Sequence, residues 1–206
     1  MRTPSVVEHG QLFIRYRDRN DGAALEEILR LYHQPLYNYL MRMLRKREEA
    51  EDALQEVWLK VIRQKHTYRE QGYFSSWLYR VAHNHCLDWY RRQSRRPDYE
   101  ELVETEEGAF LLDGIASGDP SPYDLLAEQE IQDRLDRAIA QLPPMIREVY
   151  LLRTVNGIPF REIAEIQNCP IGTVLSRMHQ AVKRLQETAA GWDAADNSVS
   201  CERKIQ

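Results

Sequence analysis

Between Pro97 and Glu130 the chain carries eleven acidic residues and no Lys or Arg. Such a segment repels itself, and Gly108, Gly114, Gly118, Pro120 and Pro122 break helical continuity within it. It therefore divides the 206-residue chain into two bodies. The net charge is −4, so without those eleven acids the remainder carries +7. Two mildly basic bodies on an acidic tether suit a polyanionic partner, which the overall charge would hide.

Helical periodicity dominates both bodies, and no alternating strand pattern stands out. The expected fold class is all-α: two small helical domains joined by an acidic flexible linker. The expected boundaries are 1–96, a linker at 97–122, a second domain at 123–190 and a disordered tail at 191–206. Leu25, Ile28, Leu29 and Tyr32 start a helix that Pro35 should kink or interrupt, and Leu36, Tyr39, Leu40 and Met43 resume it. Further helices are expected at about Glu48 to Arg63 and Phe74 to Arg92. Beyond the linker one runs from Tyr123 to about Leu142, where Pro143-Pro144 breaks it. The next, Met145 to Val155, stops at Asn156-Gly157.

No apolar run reaches the length of a membrane span, so stable membrane insertion is not expected. The first twenty residues lack the apolar core of a signal peptide. Cys86, Cys169 and Cys201 are odd in number and widely spaced. That fits a reducing cytoplasm and offers no zinc spacing.

Pro159 to Leu185 has the pattern of a helix-turn-helix. A short helix, Phe160 to Ile166, leads into the turn Gln167-Asn168-Cys169-Pro170. Asn168 tolerates the left-handed conformation that ends a helix, and Pro170 suits the start of the next. In the second helix Val174, Met178, Ala181 and Leu185 form an apolar stripe. Ser176, Gln180 and Lys183 lie opposite, flanked by Thr173, Arg177, His179 and Arg184. A helix anchored on one side and able to donate on the other is what major-groove reading needs. The alternative is an ordinary αα-hairpin with a solvated basic face.

Two N-terminal helices carry further faces. On the helix from Glu48, the stripe Ala50, Ala53, Leu54, Val57 and Val61 points to a core. Asp52, Gln55, Glu56 and Leu59 lie on the other side, with Trp58 and Ile62 beside them. Apolar residues around an acidic and amide cluster fit a protein-binding face, and equally a helix–helix contact within the domain. On the helix from Phe74, the stripe Phe74, Leu78, Val81, Ala82, His85 and Trp89 points to a core, with His85 a buried, hydrogen-bonded histidine. Ser76, Arg80, His83, Asn84 and Arg91 lie opposite. Upstream, Tyr68, Arg69, Tyr73 and Phe74 join aromatics to a cation, a combination that suits unpaired bases. Tyrosines closing the core explain the same residues.

Catalytic constellations are poor. His83 and His85 are two apart on a helix and face different ways, so neither a metal site nor a nuclease centre is expected there. No Gly-rich phosphate loop or nucleophile–base spacing occurs. Neither cofactor nor metal is expected, and the chain does not read as an enzyme.

Three segments together resemble a bacterial extracytoplasmic-function (group 4) RNA polymerase sigma factor. AEDALQEVWLKV is similar to that family's core-polymerase-binding helix. YREQGYFSSWLYRVAHNHCLDWYRRQSRRP is similar to its −10-reading segment. LPPMIREVYLLRTVNGIPFREIAEIQNCPIGTVLSRMHQAVKRL is similar to its region 4. The resemblance implies that Asp52, Gln55, Glu56, Trp58, Leu59 and Ile62 contact the β′ clamp helices of RNA polymerase core, with the β flap a further contact. It implies that Tyr68, Arg69, Tyr73, Phe74, Ser75, Trp77, Arg80 and Asn84 hold −10 bases, and that Arg91, Arg92, Arg95 and Arg96 hold phosphates. In the helix-turn-helix, residues 160–184, it gives Thr173, Leu175, Ser176, Arg177, His179, Gln180, Lys183 and Arg184 to the −35 element.

The same resemblance implies a non-enzymatic, cytoplasmic initiation factor that binds promoter DNA and answers to an anti-sigma factor. A spacer of ~17 base pairs spans ~58 Å at ~3.4 Å each. Linker residues 97–122 reach that far only if stretched, since their relaxed span is ~28 Å. Two departures from the family matter. Positions 175 and 180, often Arg there, are Leu175 and Gln180 here, and Gln167-Asn168 replaces the common Leu-Gly. A helix-turn-helix repressor would explain the C-terminal body but would leave the Asp52/Gln55/Glu56 face idle.

Overall fold

A computed structural model describes the backbone of residues 6–69, 73–93 and 122–202, and the side chains of 9–69, 73–93 and 131–190. Linker residues 97–121, Arg95 and Arg96 lie outside these. The described residues form helices α1 (Val6–Arg19), α2 (Gly22–Leu44), α3 (Arg47–Arg63), α4 (Phe74–Gln93), α5 (Pro122–Ala140), α6 (Pro144–Tyr150), α7 (Phe160–Ile166) and α8 (Ile171–Glu202). A short 3-10 turn, Lys65–Thr67, follows α3, and a π-helical turn, Leu151–Val155, extends α6.

Helix α1 was not expected. Its sequence is polar on average, yet Phe13 is fully buried and Tyr16 nearly so. The Phe13 ring centre lies 4.7 Å from that of Phe74 and 5.2 Å from those of Tyr68 and Trp77, and Leu12 and Ile14 pack beside it, so an aromatic contact at the centre of the helix anchors it. Asn20, at φ 53°, turns the chain, and Asp21 caps α2 by accepting from the Ala24 amide.

Pro35 does not interrupt α2, which runs unbroken for 23 residues. Tyr32, Leu36, Tyr39 and Leu40 are buried on both sides of the proline. That packing outweighs the one backbone hydrogen bond the ring removes. At the other end of the chain, α8 passes Ala190 and reaches Glu202, where a disordered tail from 191 was expected. Ala189, Ala190, Ala194 and Ala195 give this polar stretch helix propensity that a reading of its polarity misses.

The helix-turn-helix forms as read. Asn168 has φ 48°, and Gly157, which ends the preceding helical segment, has φ 69°. Val174 and Ala181 are fully buried, with Met178 and Leu185 packed beside them.

The two halves are docked on one another. Helix α7 packs on α4, and α5 and α6 pack on α2. A single apolar cluster runs from Phe13 and Leu40 in the N-terminal half to Val149, Leu152 and Ile163 in the C-terminal half. Helix α6 lies between them and is buried nearly all round, including Arg147 and Glu148.

Candidate polymerase and promoter interfaces

Three surfaces and one buried junction carry the functional geometry. The first surface is on α3. Ala50, Ala53, Leu54, Val57 and Val61 are buried as expected, and Asp52, Gln55 and Glu56 are exposed. Leu59 is 42% and Ile62 38% exposed beside them. Trp58 departs from the expectation: it is 7% exposed and belongs to the core. Its large ring gains more from burial than a partly wetted position would allow.

An open groove of about 630 Å³ runs between α3 and α4, lined by Glu49, Asp52 and Glu56 on one wall and His85, Asp88 and Arg92 on the other. Trp89 fixes the wall by donating from Nε1 to Glu49 at 2.6 Å. His85 is therefore a half-buried groove residue and not the buried histidine expected. Desolvation, with Lys60 and Arg92 nearby, pulls its pKa below the usual value and keeps the ring neutral at neutral pH.

The second surface follows α4. Arg69, Tyr73, Arg80, Asn84, Arg91 and Arg92 are exposed. Arg80 reaches Glu165 of α7 at 3.4 Å, and Arg91 reaches Asp88 at 3.3 Å. Other residues expected here are not at the surface. Tyr68 is 2% exposed and Phe74 fully buried, both inside the aromatic cluster around Phe13. Trp77 is half-buried in the same cluster, and Ser75 hydrogen-bonds Tyr32. These rings close the core in this arrangement, and only Tyr73, at 46% exposure, is free of it.

The third surface is on α8. Leu175, Ser176, His179, Gln180, Lys183 and Arg184 are exposed, while Thr173 and Arg177 are half-buried. Gln180 donates to the Ser176 hydroxyl at 3.3 Å, and Lys183 lies 3.9 Å from Glu187. Arg177 turns back to donate to the Gln167 side-chain oxygen at 2.6 Å.

The junction was not legible in the sequence. Glu148 of α6 is fully buried. It accepts from Tyr39 of α2 at 2.5 Å and from Gln167 at 2.7 Å, and pairs with His83 Nδ1 of α4 at 2.7 Å. Burial first, and then the Glu148 carboxylate, hold the Tyr39 phenol well above its usual pKa, so it stays a donor. Beside it, Arg147 donates to the carbonyls of Arg42 and Met43 at 3.1 Å each, and to those of Ala140 and Leu142 at 2.7 and 2.9 Å. One guanidinium thus closes the C-terminal ends of α2 and α5 together. Arg42 pairs with Asp136 at 3.2 Å, and Asn156 donates to the Tyr79 hydroxyl at 2.6 Å. Ser76 of α4, expected to be solvated, bonds Glu162 of α7. Burial, and then Glu165, raise the Glu162 carboxyl above its usual pKa.

His83 is therefore committed to Glu148, and His85 faces the groove. No group of His, Cys, Asp or Glu able to hold a metal occurs among the described residues. Nor, among them, is any helix long and apolar enough to cross a membrane.

Comparison with known proteins bears on both halves. Residues 28–96 match the family described as Sigma-70 region 2, and residues 132–185 the family described as Sigma-70, region 4. The ECF RNA polymerase sigma factor SigW of Bacillus subtilis (strain 168) is 30% identical over 176 residues, covering 84% of this chain and 93% of SigW. The ECF RNA polymerase sigma-E factor of Escherichia coli (strain K12) is 32% identical over 133 residues, covering 65% of this chain and 70% of that protein. Among solved structures, the sigma factor RpoE in complex with the anti-sigma factor NepR from Bartonella quintana superposes with a TM-score of 0.60. Identity there is 24%, over 81% of this chain and 96% of that one. CnrH in complex with the cytosolic domain of CnrY gives 0.62 at 17% identity, over 90% and 97% of the two chains. These two likenesses concern the fold.

Proposed function

This chain belongs to the ECF RNA polymerase sigma factors, and we propose that it binds core polymerase through α3, reads the −10 element through α4 and reads the −35 element through α8. It directs promoter-specific initiation in the cytoplasm. It performs no chemistry itself, since polymerase makes the bonds. The observation that carries this reading is the pairing of the two matched regions with three separate exposed faces of suitable chemistry. Acids and amides beside Leu59 and Ile62 suit a protein helix. Cations with Tyr73 suit an opened strand. A helix-turn-helix with basic residues suits the major groove.

The residue assignments follow the exposure. Asp52, Gln55, Glu56, Leu59 and Ile62 meet the β′ clamp helices. Arg69, Tyr73, Arg80 and Asn84 meet the −10 strand, and Arg91 and Arg92 its phosphates. Trp58, Tyr68 and Phe74 support these faces from the core. The docked arrangement cannot serve both promoter elements, which lie ~58 Å apart for a ~17-base-pair spacer. Docking also buries Ser76 and His83 and engages Arg80. The working form is therefore opened, with the acidic segment stretched between the halves. An anti-sigma factor that holds the halves together would keep the protein silent.

The test adds the full-length protein to sigma-free core polymerase and a genomic promoter pool. Promoter-specific transcripts are expected. Operator binding without any transcripts would replace this reading with that of a repressor.

A further inference from the structure

The reading face of α8 has an apolar flank that its own fold does not use. Leu175 and Ile171 are each 47% exposed. They stand four residues apart, so their side chains adjoin on the helix surface. The buried stripe of Val174 and Ala181, with Met178 and Leu185 beside it, is complete without them. Docking of the two halves engages α5, α6 and α7 and leaves this flank outside.

The surroundings indicate what the flank meets. Val182, 37% exposed, continues the flank toward the helix C-terminus, and exposed Ser176, His179 and Lys183 border it with hydrogen-bonding and cationic groups. The border here is cationic, where that of the α3 patch is acidic, so a polyanion complements it. A DNA major groove satisfies both: its phosphates take the cations, and among the bases only thymine presents an apolar group there, the 5-methyl. The N-terminal part of a recognition helix contacts base edges, and Ile171 and Leu175 lie in its first two turns.

Resting on the −35 role of α8 proposed above, we infer that Leu175, with Ile171 beside it, reads thymine 5-methyl groups in the −35 element. The leucine accepts no hydrogen bond and donates none, so it selects T by methyl contact. Gln180, bonded to Ser176 on the polar stripe farther round the helix, can pair with adenine N6 and N7. The −35 element of this protein is therefore rich in A·T pairs where an arginine would select guanine.

The test selects −35 sequences with holoenzyme made from the full-length protein, then compares the winning promoter with copies carrying deoxyuridine for thymidine at each −35 position. Deoxyuridine differs only by the methyl. Removing the contacted methyl should weaken binding about fourfold, the worth of one buried methyl-sized group. In Leu175→Ala the thymidine/deoxyuridine ratio at that position should fall to about one. The ratio is taken within each protein, so any loss of folded protein cancels. Selection with Leu175→Arg should shift that position to guanine. A winning −35 sequence without thymine, or an equal deoxyuridine penalty in wild type and Leu175→Ala, overturns the inference and leaves the initiation role standing. Failure to select any promoter overturns both.

Discussion

Truncating Glu148 should open the protein. In the docked form Glu148 satisfies two groups from the other half, the Tyr39 hydroxyl and His83 Nδ1, at 2.5 and 2.7 Å. Glu148→Ala leaves both buried without this partner, at about 1–3 kcal/mol each. In the opened form water satisfies them, so the cost falls on closure alone. Gln167 keeps its bonds to the Met145 carbonyl and Arg177 in either form. The carboxylate's own desolvation on closing is relieved, which offsets part of the cost. A net weakening of about 2 kcal/mol remains, roughly 30-fold in the closing equilibrium. Small-angle scattering on the full-length protein reads this directly. A compact chain of 206 residues has a radius of gyration of about 17 Å, and opening raises it. His83→Ala should open it similarly, although His83 lies in the other half. Because the two residues share one contact, the double variant should be little more open than either single one. Additive effects, or a lowered melting temperature with an unchanged radius, would refute the clasp.

Three further outcomes are expected. Leu59→Asp places a charge in the centre of the polymerase face and should weaken core binding at least tenfold in a fluorescence titration, with an unchanged circular dichroism spectrum. Arg80→Ala should reduce permanganate reactivity of the −10 strand in open complexes and lower the salt slope of promoter binding by about one. Glu162→Gln tests pH dependence. Burial, the larger cause of the raised Glu162 pKa, is what docking adds, so its contribution to closure is full below the usual carboxylate range and fades as pH rises through the raised value. Wild type should therefore lose closure across that window relative to Glu162→Gln, read by scattering at stepped pH.

Most helices and the turn of the helix-turn-helix were legible because their signals are local. Period, proline breaks, and an asparagine at φ 48° each act within a few residues. The second helix of the motif exposes Ser176, Gln180 and Lys183 opposite its apolar stripe for the same reason. What the chain did not disclose was how the halves meet. Ser76 and His83 are polar and fall opposite a core stripe, so a helical period assigns them to solvent. Their partners, Glu162 and Glu148, are 86 and 65 residues away and equally polar. Two polar faces that satisfy each other leave no apolar trace in sequence. Tyr68 and Phe74 take the second of the two readings their sequence left open, that of rings closing the core. Aromatics beside cations fit bases, but α1 supplied Phe13 and drew them inward. The short apolar run Leu12-Phe13-Ile14 within a polar N-terminus was the available sign of that helix.

Arg147 gives closure a mechanical reach beyond the junction. Its guanidinium completes the end of α2, whose last residues lead through Arg45, at φ 63°, directly into α3. When the halves part, the carbonyl of Arg42 loses that cap and turns to water, while that of Met43 keeps the Tyr90 hydroxyl of α4. The end of α2 frays more easily, and the hinge before α3 loosens with it. The helix proposed to meet polymerase is therefore held at its root by a residue of the opposite half. On the roles proposed above, separation of the halves and adaptation of the α3 face become one event, and a ligand that stiffens either end acts on both.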